Sequence, residues 1–378
     1  MTARVTQSEI PAHSLERGEW VKLICGASYQ DLPAIRNLAL VYSLAGVNCI
    51  DVAADPSVIA TTWEGIEAAQ AIADRKGLQT PRLWVMVSLN DGEDPHFRKA
   101  TFDPQRCPPD CPRPCARVCP TAAISHAPQT GILAEKCYGC GRCLTVCPLD
   151  LIHAQATTLS FADSVQQLAP LIHQGKVQAI ELHTQVGHRD AFHSLYTTLA
   201  PCFPSLELLA ISCPWHPDSV PYLTEIAQTL TLTPQRLLWQ ADGRPMSGDL
   251  GKGTTHACIH YAQELSQQNL PGFIQLAGGT NAHTWDKCVS LSLRSPVSPA
   301  LKPETLQGIA FGGAARKLLA PIFQTAEQRE NAGNSPANLR PMTLESHPDL
   351  LQQAINLAEG LVHPWKQGTF AGAPSPEH

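Results

Sequence analysis

Short apolar runs rich in Val, Ile and Leu recur along this chain, separated by segments of helical length. Residues 22–26 (KLICG), 47–53 (VNCIDVA) and 83–88 (LWVMVS) read as buried strands, with helices predicted over 31–45 and 56–76 between them. A cysteine-rich stretch then breaks the pattern, which returns behind it. Further strands are predicted at 177–183, 206–212, 236–241, 272–277 and 307–311. Helices are predicted at 161–174, 188–199, 219–230, 254–268 and 348–362. Continuous apolar strands alternating with helices mark parallel βα units, in which both faces of the sheet are covered.

Eight such strands and about as many helices match an α/β fold of the (β/α)8 barrel type, whose active face is built by the loops after the strand C-termini. An open doubly wound sheet has the same local pattern and is the alternative. On the barrel reading, residues 1–100 and 155–365 form one split domain, and 101–154 are inserted after the third strand. The segment 326–341 reads as a loop and 366–378 as a flexible tail.

Composition narrows the class. Of 378 residues, 43% are hydrophobic and 16% charged, the balance of a soluble globular chain. A net charge of -6 argues against nucleic-acid binding, which needs clustered Lys and Arg. No apolar run approaches the roughly 20 residues that span a bilayer. The opening MTARVTQSEIPAHSLERGEW lacks the apolar core of a secretory signal, so a cytoplasmic location is expected. Fourteen cysteines in such a chain point to metal or redox chemistry, not to a disulfide framework.

Eight of those cysteines make up the inserted stretch. The second run, Cys137, Cys140, Cys143 and Cys147-Pro148, has the C-x2-C-x2-C-x3-C-P spacing of a bacterial ferredoxin. Tight gaps let three thiolates wrap one iron–sulfur cubane, with Gly139 and Gly141 allowing close backbone approach, while the fourth serves a neighbouring cluster. CPTAAI at Cys119 and CPLDLI at Cys147 read as two copies of one half-motif, with 121–125 and 131–133 pairing as a hairpin between them. The spacing therefore predicts two 4Fe–4S clusters, one held by Cys119, Cys137, Cys140 and Cys143, the other by Cys107, Cys111, Cys115 and Cys147. Paired Cys-x2-Cys zinc sites are the alternative, although two Cys-Pro-terminated runs fit tetrahedral zinc poorly. The first run departs from the ferredoxin pattern: its gaps are three residues throughout, with Pro109 and Pro112 where cysteines would stand. That departure leaves a 3Fe–4S form open at the Cys107, Cys111 and Cys115 site.

Candidate chemistry also lies at the strand ends. Gly278-Gly279 and Gly312-Gly313 follow the last two strands, where barrels often bind phosphate on bare backbone N–H groups, a flavin phosphate included. Arg316 or Lys317 would add charge there; simple turn chemistry is the bland alternative. The loop DGRPMSGDLGKGTT at 242–255 fails the P-loop spacing and reads as a loop at the mouth. Asp51, Glu181, His183, Asp242 and Asn281 are polar strand-end candidates, and each would serve equally as a satisfied core group. Cys25 and Cys213, at strand C-termini, read as small core residues worth watching.

The opening VKLICGASYQDLPAIRNLALVYSLAGVNCIDVAADPSVI, the run CPPDCPRPCARVCPTAAI and the ferredoxin motif together resemble the cyanobacterial light-dependent period protein family, over the chain up to about residue 365. The resemblance implies an iron–sulfur protein that adjusts the circadian clock to light through cellular redox state, in association with clock input components. Only the eight cysteines carry over. Two functions follow as expectations. A redox sensor would exchange electrons with photosynthetic components or the quinone pool and change its partner binding. Alternatively, a barrel oxidoreductase would pass electrons to a flavin or organic substrate at the mouth. A simple electron carrier would not need so large a barrel.

Overall fold

A computed structural model describes residues 11–26, 31–78, 82–92, 98–119, 122–125, 131–133, 137, 142–156, 161–243, 254–293, 306–331 and 342–366. The strands are β1 (Trp20–Gly26), β2 (Cys49–Ala53), β3 (Trp84–Asn90), β4 (Arg98–Thr101), β5 (His153–Ala156), β6 (Ala179–His183), β7 (Leu208–Pro214), β8 (Leu237–Asp242), β9 (Phe273–Ala277) and β10 (Gly308–Phe311). Eight of them close a parallel barrel in the order β1, β2, β3, β6, β7, β8, β9, β10. β1 pairs with both β2 and β10, so no edge is left and the open-sheet alternative is excluded. β4 and β5 stand outside the barrel as an antiparallel pair, Arg98 opposite Ala156 and Thr101 opposite His153. They form the neck of the cysteine-rich insert, which leaves the barrel after β3 as expected. Among the described residues no helix is long and apolar enough to cross a membrane.

Local chemistry starts the helices. Asp31 accepts from the Ala34 amide at 3.3 Å ahead of the helix Leu32–Leu44, with Pro33 in its first turn. Asp55 accepts from the Ser57 amide at 2.8 Å ahead of the helix Pro56–Arg75. A side-chain acceptor satisfies N–H groups that the first helical turn leaves without partners, and proline there gives up no intrahelical bond.

Three helical segments differ from expectation. The helix Gly313–Glu330 absorbs the start of the predicted loop, because Ala326 packs into the core and good helix formers follow it; residues 332–341 lie outside the described residues. The last helix runs Pro348–Lys366, past the predicted end, since Trp365 is buried and Lys366 Nζ donates to Asn48 Oδ1 at 2.6 Å. The rest of the predicted tail lies outside the described residues. A short helix, Thr284–Ser290, follows β9 without having been predicted.

The barrel interior is layered. At its N-terminal end Trp20, Trp84, Met86, Leu208 and Leu238 form an apolar plug, closed by Leu15 of the helix Pro11–Glu16. Above it lies a polar layer. Lys22 of β1, fully buried, pairs with Glu181 of β6 and stands 3.5 Å from Asp51 of β2. Gln240 Nε2 donates to Glu181 Oε1 at 2.7 Å, Gln275 Nε2 to Gln240 Oε1 at 2.6 Å, and Trp20 Nε1 to Gln275 Oε1 at 2.9 Å. Ser88 Oγ donates to Asp51 Oδ1 at 2.8 Å. Buried charge is tolerated here because each of these groups is paired.

Candidate metal centre

Two short helices, Pro114–Arg117 and Arg142–Val146, pack against each other and carry Cys115 and Cys143. Each leads, four residues after its cysteine, into a Cys-Pro turn of the same build. The Ala122 amide donates to the Cys119 carbonyl at 3.3 Å, and the Asp150 amide to that of Cys147 at 3.2 Å. Ala122 and Asp150 both take left-handed backbone, at φ 50 and 52. The next amide in each copy, Ala123 or Leu151, then donates to the cysteine Sγ, at 3.2 and 3.4 Å. The two half-motifs are thus structural repeats, and each turn aims an N–H group at sulfur, an arrangement that favours the thiolate. The hairpin expected between the runs is a single bridge, Ile124 opposite Ile132, among the described residues.

Cys107, Cys111, Cys115 and Cys147 line one pocket, walled by Phe102, Pro114, Pro148, Leu149, Leu151 and Ile152. Three of the four come from the first run and one from the second. Burial, and then the neighbouring thiols, push Cys107 and Cys115 above the ordinary thiol range, while Arg113 pulls Cys107 back down. Thiols crowded in this way lose their protons together only when cationic metal replaces them. Among the described residues no three His, Cys, Asp or Glu side chains group as a single-ion site. Four thiol donors lining one pocket are a donor set suited to an iron–sulfur cluster. Of the other set, Cys137 and Cys143 are buried and Cys119 half-buried; the Ala100 amide on β4 donates to Cys137 Sγ at 3.4 Å. Cys140 lies outside the described residues, as do Gly139 and Gly141.

The barrel mouth is arranged differently. β9 and β10 are neighbours, so Gly278, Gly279, Gly312 and Gly313 share one sector of the rim. Gly278 has φ +66, and a Cβ there would fall 1.7 Å from Asp242 Oδ1. Its close approach is to a carboxylate, which a bound phosphate would have to face. Gly313 opens the helix Gly313–Glu330, and Arg316 Nη1 donates to the Ile24 and Cys25 carbonyls at 3.0 Å each. Asn281 Nδ2 donates to Thr255 Oγ1 at 2.7 Å. Burial pushes the Cys25 and Cys213 thiols up to about 12, so neither is a reactive thiolate. Sequence reasoning flagged Asp51, Glu181 and His183 but missed Lys22, which joins the first two. It also missed Asp91, directly after β3, which pairs with His188 Nδ1 at 3.0 Å.

Over 360 residues, 95% of this chain and 95% of the relative, the sequence is 48% identical to Light dependent period A of Synechococcus elongatus. The chain belongs to the Light dependent period A family. Two models of that family match it: the LdpA Fe-S cluster-binding domain over residues 107–158, and the Light dependent period A C-terminal domain over 171–364. The first covers all eight cysteines of the insert. Among solved structures, the chain is similar to (S)-3-O-geranylgeranylglyceryl phosphate synthase of Thermoplasma acidophilum, at 10% identity, TM-score 0.42 and coverage of 96% of this chain and 99% of that one. It is also similar to fructose-bisphosphate aldolase of Campylobacter jejuni, at 8% identity, TM-score 0.42, with 94% and 91% covered. Likenesses this distant bear on no activity.

Proposed function

We propose that this chain is a redox sensor that holds two iron–sulfur clusters and conveys light-dependent redox state to the circadian clock. The observation that carries the reading is the shared pocket of Cys107, Cys111, Cys115 and Cys147, because cross-contribution from both runs is the ligand logic of a two-cluster ferredoxin. The name of the Synechococcus relative supports the light and period side of the reading. Each cluster, when bound, takes up or gives back one electron. Cys107, Cys111, Cys115 and Cys147 would hold one, and Cys119, Cys137, Cys140 and Cys143 the other, within a unit spanning residues 101–154. The amides of Ala100, Ala123 and Leu151 stabilise negative charge on sulfur, and the apolar wall limits water at the first site. Electrons come from photosynthetic components or the quinone pool, and clock input proteins in the cytoplasm read the result.

A partner responds only if it binds the two oxidation states with different affinity. Protein purified without oxygen should contain about eight irons and eight inorganic sulfides per chain, the content of two 4Fe–4S clusters. Partner affinity measured for dithionite-reduced and air-oxidised protein should differ by at least about fivefold, the low end of ordinary coupling. Equal affinities would overturn the sensor, and zinc in place of iron would overturn the clusters. Flavin released on denaturation would move the reading to an oxidoreductase.

A further inference from the structure

The three-residue gap between Cys111 and Cys115 holds an arginine between two prolines. Its sequence is Pro112-Arg113-Pro114, and Arg113 is only 4% exposed. The arginine sits at φ 47 and ψ 61, in left-handed backbone, between two prolines. That conformation is unfavourable for a side chain with a Cβ, and the proline that follows restricts the residue further. Such strain persists only where the surroundings hold it in place. Here the Arg113 carbonyl accepts from the Ala116 amide at 3.1 Å at the head of the helix Pro114–Arg117, and Nη1 donates to the Ser125 carbonyl at 2.8 Å. The guanidinium is thereby tied to the segment that follows the first Cys-Pro turn, and its positive charge acts on Cys107.

Among the described charges nearby, Asp103, Arg106, Asp110, Arg117 and Asp150 are exposed, where water and salt screen them, and the half-buried Lys99 reaches Asp55 at 3.8 Å. Arg113 is buried and stays charged at every accessible pH. A cluster with four thiolates is an anion that becomes one unit more negative when it accepts an electron, so a fixed buried cation favours the reduced form. In the second run the gaps are Tyr-Gly, Gly-Arg and Leu-Thr-Val, so no residue there stands between two prolines as Arg113 does.

We propose that Arg113 tunes the cluster site lined by Cys107, Cys111, Cys115 and Cys147, raising its reduction potential. The extra residue in the Cys111–Cys115 gap gives this cation its seat. The inference rests on the cluster reading above. The test is an EPR-monitored redox titration of anaerobically purified full-length chain, with dithionite as electron donor, comparing wild type, R113K, R113Q and the exposed control R117Q, with iron counted in each.

In R113Q one of two midpoints should fall by at least about 59 mV, a tenfold change in the ratio of reduced to oxidised cluster. The second midpoint should move less, and R113K and R117Q should stay near wild type. An R113Q chain that loses half its iron while R113K keeps both clusters at wild-type potentials also supports the role of charge. Unchanged midpoints in R113Q overturn the proposal, as does R113K falling, or losing iron, as far as R113Q. Wild-type protein without iron would instead overturn the cluster reading itself.

Discussion

The barrel and its insert are held together by different means. The barrel has a continuous apolar core reaching from Val21 to Trp365, with a second plug at its N-terminal end. The insert's own core consists of Ala100, Phe102, Cys115, Ala116, Ala123, Ile124, Cys137, Cys143 and Ile152, among the described residues. Three of those nine are the cysteines assigned as ligands, and three are alanines that bury little surface. Ordering a residue's backbone costs about 1–2 kcal/mol, which so small a core cannot offset across some fifty residues. Metal binding must supply the difference, as it does in other small metal-bound domains. The barrel needs no such help.

The strongest way to break this comparison is to remove the metal. Cys147→Ser, or iron stripped by oxidation and chelation, should leave the barrel's far-UV circular dichroism and melting nearly intact. Cleavage by a nonspecific protease should become roughly tenfold faster or more, and confined to the region between β4 and β5, as expected when a local unit opens. A barrel that melts along with the insert would show the two to be one cooperative unit.

A smaller effect probes the opposite side. Lys22→Met leaves Glu181 and Asp51 buried without their shared cation, which should destabilise the barrel by about 3–5 kcal/mol. Thermal melting reads the loss, and iron content should stay at the wild-type level. Iron lost from this variant would contradict the division.

The smallest effect is a dependence on pH. Burial pushes the Asp51 carboxyl up to about 7, whereas an unfolded aspartate ionises near about 3.9. Between those values the unfolded chain has shed a proton that the fold still holds. Stability drawn from Asp51 therefore falls as pH rises through this window, by at most about 1.4 kcal/mol per unit, and levels off above 7. Lys22 keeps its charge across the window, and the lowered Glu181 carboxyl adds an opposing slope only below about pH 5, where an unfolded glutamate still binds protons. Asp51→Asn should lack the slope in denaturant melts taken from pH 5 to 8. An identical slope in the variant would mean that Asp51 is already ionised in the fold.

The barrel was legible in the sequence because its strands are buried on both faces and so read as unbroken apolar runs; each predicted strand lies within two residues of the observed one. Asp31 and Asp55 start their helices through capping chemistry that is local by nature, although periodicity alone predicts those helices. The neck was not legible. RKAT and HAQA are short and polar, and they become strands only by pairing across the whole insert. Lys22 was missed for a related reason. In KLICG it reads as the polar start of a strand, and only barrel closure brings its ammonium to carboxylates 29 and 159 residues away. In the insert, the four cysteines that the motif spacing puts together also line one pocket. The buried position of Arg113 depends on backbone handedness, to which spacing is blind.

Because Arg98 and Ala156 face each other across the neck, the insert departs from the barrel and rejoins it at nearly the same point. Such a cassette can be gained, lost or exchanged with little disturbance to its host. Replacing it with a tight turn would yield an otherwise ordinary barrel, and grafting it after the third strand of another barrel would carry the eight cysteines along as a set.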